Sequence, residues 1–112
     1  MKFYAMGVLL ADLSDNPRRT IISSRLWGIY ERFEDAEQTI LFNTDSIFEG
    51  YYNIGCIEEY ELINFKKETN FEIPKQWWYL SSYDSSQRIA TITSLGTTAP
   101  KNLINVCNIW VG

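Results

Sequence analysis

A chain of 112 residues that is 46% hydrophobic and 15% aromatic holds enough apolar surface for one packed core, which excludes intrinsic disorder and predicts a single domain over 1–112. Fourteen acidic against ten basic residues leave a net charge of −4. That is the wrong sign for a duplex nucleic-acid binder, whose affinity comes mainly from phosphate neutralisation, whereas a small anion needs only two well-placed arginines.

The stretch KFYAMGVLLADL alternates as a first strand. Its apolar patch is cut short by Asp12, too soon for a signal peptide or a membrane span, so the expected location is cytoplasmic, with no membrane partner. SDNP (14–17) is turn chemistry, and RRTIISSRLWGIY follows as a second strand, making residues 2–30 a hairpin. By the two-residue period Arg19, Ile21, Ser23, Arg25 and Trp27 share one face of that strand.

FEDAEQTILF switches to helical spacing, with Glu34, Asp35 and Glu37 near the positive end of the helix dipole and Asn43 as a stop. Ser46 to Glu49 has the S-x-x-E capping pattern of a short helical turn ended by Gly50. YYNIGCIEEYEL returns to period two, as a strand that is inner at first and more exposed after Ile57. NFKKETNFEIPK is expected as a loop, and QWWYLSSY pairs with RIATITSL around DSSQ as a hairpin. Thr98 and Pro100 open a short terminal helix. The order ββ, α, β, ββ, α predicts an α+β fold: a mostly antiparallel sheet with helices packed on one face.

The chain has no histidine, which removes Ser-His and Cys-His nucleophile systems and the commonest neutral-pH base. Cys56 and Cys107 stand apart, outside any metal spacing, and read as small core residues; no metal or cofactor is expected. Glu58 and Glu59 look like a carboxylate pair, but neighbours on a strand point to opposite faces and cannot flank one bond. Glu59 and Glu61 read as the solvent face of an edge strand, and Asp45 and Glu49 as caps. An enzyme working through carboxylates alone is the least favoured reading.

Tyr51/Tyr52 and Trp77/Trp78 are each expected to split across the sheet. Trp77, Tyr79, Ser81 and Tyr83 then form one aromatic stripe, on a hairpin closed by Arg88. Nucleobases stack on such rings and arginines grip phosphates; dimer interfaces favour the same residues. A two-fold interface serves both, because it offers two copies of each ring and arginine to one ligand.

The order G-I-Y (28–30), F-E-D-A (33–36), Asn43 to Glu49, Tyr51–Tyr52 and I-E-E (57–59) resembles a family of small, mostly uncharacterised proteins of phages and bacteria, over roughly residues 27 to 79. Proteins of this kind are similar to anti-defence "sponges", and the resemblance implies a phage protein that sequesters a cyclic nucleotide immune signal without chemistry. The expected ligand-binding residues are Trp27, Trp77, Tyr79 and Tyr83 for stacking, Arg19, Arg25 and Arg88 for phosphate, and Ser23 and Ser81 as hydrogen-bond donors. The expected partners are a nucleotide-like small molecule and further copies of the chain. The alternative is an acidic inhibitor or adaptor docking on a basic host protein.

Overall fold

A computed structural model describes residues 1–12, 21–63, 66–67 and 74–100. Its framework is a single antiparallel sheet: β1 (Lys2–Ala11), β2 (Ile21–Tyr30), β3 (Ile54–Ile63), β5 (Lys75–Asp84) and β6 (Ile89–Gly96) in the order β2-β1-β3-β5-β6. A two-residue strand β4 (Lys66–Lys67) adds to the end of β3, inside the stretch expected as loop. One α-helix, α1 (Phe33–Leu41), is present among the described residues, and none of their helices is long and apolar enough to cross a membrane. The fold is thus mostly sheet, and α+β describes it only coarsely. The expected terminal helix falls on 101–112, outside the described residues.

β1 and β3 are buried on both sides, which is why β1 reads as almost unbroken apolar sequence. Met6, Val8, Ile57 and Tyr79 form the sheet's contribution to the core under α1. The helix supplies Ala36 and Ile40, four residues apart and so on one face. Each aliphatic side chain fully buried there contributes about 1.5–3 kcal/mol. On the other side of the sheet Leu9, Ala11, Ile54, Cys56 and Trp78 make a second cluster, and Phe3, Ala5 and Tyr60 a third. Trp77 and Trp78 therefore do divide between the two faces.

Asn43 ends α1 in the left-handed region at φ 45°, a conformation asparagine tolerates. The next turn is a 3-10 turn over Thr44–Ser46, not a helix opened by Ser46, whose own φ is +54°. The oxygen that holds this segment is Asn43 Oδ1, which accepts the Phe48 N–H at 3.1 Å. Ile47 and Phe48 are thereby driven into the core. Phe48 and Ile40 close on Gly55, where an added Cβ would sit 3.2 Å from both Ile40 Cδ1 and Phe48 Cζ.

Two further expectations change. Tyr51 and Tyr52 precede β3 and meet edge-to-face at 5.0 Å, so the strand period does not split them. β3 is a central strand, not an edge, and after Ile57 its burial alternates: Glu58 and Tyr60 are enclosed, while Glu59 and Glu61 are partly exposed. The hairpin around DSSQ forms as expected. Asp84 Oδ1 accepts the Ser86 N–H and hydroxyl and the Gln87 N–H, and these bonds hold its carboxyl below the ordinary value.

A candidate binding surface around Arg25 and Trp27

β2 departs from strict alternation. Its pairing with β1 steps from Met6↔Gly28 to Gly7↔Leu26, leaving Trp27 as the extra residue of a bulge. After the bulge the faces exchange. Tyr30 packs on the core beneath α1, while Ile29, which simple alternation would place on that side, is exposed. Trp27 keeps to the helix side, half-buried against the core. The Arg25 guanidinium lies 5.4 Å from the centre of its ring, within cation–π range.

Arg25 Nη1 donates to Glu49 Oε1 at 2.7 Å. Glu49 reaches it from a segment in which Asn43, Asp45, Ser46, Glu49 and Gly50 all have positive φ. Four of those five are not glycine, so the segment keeps costly backbone conformations to place its side chains. Both partners are exposed, and such an ion pair is worth about 0.2–1 kcal/mol. Beside them Ser23 Oγ is buried with no hydrogen-bond partner. Ser23, Arg25 and Trp27 are thus brought together on one strand, as expected. Glu49 joins them from a position that reads as a cap.

The other expected site residues lie elsewhere. Arg19 is outside the described residues. Trp77 packs on Phe33 at 4.5 Å, with Tyr4 edge-on and the Lys75 ammonium 4.9 Å from its ring. Tyr79 is a core residue; its ring is fully enclosed and its hydroxyl donates to Glu37 Oε2 at 2.6 Å, which leaves no face for a base to stack on. Ser81 is buried, and its hydroxyl lacks a partner. Tyr83 is half-exposed against Gly50, and Arg88 is exposed at the hairpin turn with φ +57°.

These groups do not converge within one subunit. The ladder runs Arg25↔Val8, Val8↔Gly55 and Gly55↔Tyr79, so Arg25 and the β5 stripe are three strand spacings apart, roughly 14 Å. Ile40 and Phe48 sit over Gly55 between them.

Three carboxylates, Glu37, Glu58 and Glu59, accept hydrogen bonds from tyrosines. Glu58, on the side away from α1, accepts from Gln76 Nε2 at 2.8 Å and from the Tyr60 hydroxyl at 3.3 Å. Glu59, on the helix side, accepts from Tyr4 at 3.2 Å and lies 3.8 Å from Lys2 Nζ. The two adjacent acids do face opposite ways, but Glu59 is not on an edge strand. Burial, then Glu37, pushes the Tyr79 hydroxyl far above 10.0. Burial, then Glu58, raises the Cys56 thiol well above 9.0, so that thiol stays protonated and inert near neutral pH. No cluster of metal-binding side chains occurs among the described residues. The chain matches no protein-family model, no curated protein and no solved structure.

Proposed function

We propose that this protein is a non-catalytic binder that sequesters a flat anionic ligand of the cyclic di- or oligonucleotide class, as a phage anti-defence sponge does, at the Arg25–Trp27 surface. The observation that carries the reading is the guanidinium held over an indole on an outer strand of the sheet. A base stacks on the outer face of the guanidinium–indole pair while a phosphate takes the guanidinium edge from Glu49. A phosphate offers the guanidinium a bidentate charge-assisted pair in place of the single bond to Glu49. Ser23 offers a further donor. The absence of histidine and the tyrosine-bonded carboxylates support holding the ligand over transforming it. One copy supplies one indole and one guanidinium, half of what a ligand with two phosphates requires, so further copies of the chain complete the site.

A thermal-shift and calorimetric screen against cyclic dinucleotides, cyclic trinucleotides and cyclic ADP-ribose isomers tests this. At least one class raises the melting temperature, Arg25→Ala and Trp27→Ala abolish the rise, and the ligand is recovered intact after denaturation. If no class shifts the wild type, or if product accumulates over many turnovers, the reading is wrong.

A second reading rests on the exposed acids Glu31, Glu34 and Asp35 at the start of α1. They form an acidic patch for a basic host protein, as an inhibitor or adaptor would. Binding to such a partner falls steeply with salt, whereas the stacking part of nucleotide binding does not.

A further inference from the structure

The two outer strands of the sheet differ. β6 presents Thr91, Thr93 and Ser94 to solvent, with Ile89 at its start. β2 presents Ile22 (61% exposed), Leu26 (37%) and Ile29 (54%). Among the described residues β2 pairs only with β1, so its other edge offers a row of backbone donors and acceptors. Proteins usually guard such an edge with lysine, proline or a bulge. β2 has no lysine and no proline, and its two register shifts lie on either side of a regular stretch, Ser23 to Leu26.

We infer that this edge pairs with β2 of a second copy, antiparallel, about a two-fold axis near Ser24 and normal to the sheet; the inference rests on the ligand reading above. That register sets Ser23 against Arg25 of the second copy, twice, and brings Ile22, at the register step just beyond the regular stretch, alongside Leu26 of the second copy. A two-fold contact is self-complementary, so one apolar pair is used twice. Charge does not oppose the contact: in a chain of net charge −4 the strand Ile21–Tyr30 carries no carboxylate, and its charged residue, Arg25, is paired with Glu49 of the same copy. An axis normal to the sheet keeps both helix-side faces on one side. The two Arg25–Trp27 pairs then flank the dyad and present two guanidiniums and two indoles to a ligand that is itself two-fold symmetric. The partner copy thus contributes half of the site.

Light scattering on the eluted full chain, without nucleotide, tests the inference. The wild type has about twice the 13.1 kDa chain mass. Ile22→Glu and Leu26→Glu each lower it twofold, while Ile89→Glu, on the other outer strand, leaves it unchanged. Circular dichroism confirms folding, and Ile22→Glu, at the most exposed of the three positions, carries the test where Leu26→Glu fails to fold. A wild-type mass of one chain overturns the inference, as does dissociation by Ile89→Glu but not by the β2 variants. A dimer that binds no cyclic nucleotide removes the ligand reading and keeps the interface. A monomer that binds one saturably does the reverse.

Discussion

β2 and β3 are both ten residues long, and both pair antiparallel with β1, yet composition and burial run opposite ways in them. β3 carries three glutamates, one of which, Glu58, is 0% exposed; β2 carries isoleucines at 22 and 29 that are mostly open to water. Position in the sheet decides this, not hydropathy. A central strand has a neighbour on each side and must satisfy whatever it buries, which Glu58 does through Gln76 and Tyr60. An outer strand buries little, so its apolar side chains stay open to water.

The sharpest way to break the comparison is to empty the buried acid. Glu58→Ala removes the acceptor of the Gln76 amide and the Tyr60 hydroxyl. A hydrogen bond to a buried charged group contributes about 1.5–3 kcal/mol, so urea denaturation should show a loss of about 2–4 kcal/mol; a loss below about 0.5 kcal/mol would mean that Glu58 is hydrated. Next is Gly55→Val, which drives a branched side chain into Ile40 and Phe48. The expected cost is about 1–3 kcal/mol, and an unchanged urea midpoint would show the cover over β3 to be loose.

Tyr79→Phe removes the hydroxyl bonded to Glu37, at a cost of about 0.5–1.5 kcal/mol. Its signature is in the pH dependence. The native hydroxyl titrates above the ordinary 10.0, so between those values the native state holds a proton that the unfolded chain has lost. The resulting stability is complete below pH 10 and falls as pH rises toward the native value. The wild type should weaken above pH 10 and Tyr79→Phe less so; parallel curves would assign the alkaline loss to other groups. The smallest effect belongs to the outer strand. Arg25→Ala, measured without ligand, should cost at most about 1 kcal/mol, as expected for an exposed ion pair, while removing the nucleotide response. A larger loss would make Arg25 a structural residue.

The local parts of this fold are legible in the sequence. The helical spacing of Ala36 and Ile40, the turn at Asp84, and the opposite faces of Glu58 and Glu59 follow from periodicity and side-chain chemistry, and the structure has them. What the sequence hides is non-local. Strand order places β1 and β3 side by side in the middle of the sheet, so Glu59 and Glu61 are not on an edge and Tyr60 is buried. The bulge at Trp27 exchanges the faces of Ile29 and Tyr30, and no residue pattern marks it beyond the glycine that follows. For the site, period two correctly groups Ser23, Arg25 and Trp27. It also groups Tyr79 with Trp77 and Tyr83, because alternation reports which face a ring takes and not whether a helix lies over it.

Asn53 lies just ahead of β3, and its side-chain amide meets Ala11 twice: Oδ1 accepts the Ala11 N–H at 2.9 Å and Nδ2 donates to the Ala11 carbonyl at 2.7 Å. One side chain therefore imitates a peptide unit and adds a rung beyond the last backbone pairing, Leu9↔Ile54. Aspartate would copy the shape but offer only acceptors, setting two oxygens against each other. The reach of the β1–β3 pairing thus depends on a primary amide, and a single hydrolysed nitrogen at that position would shorten it.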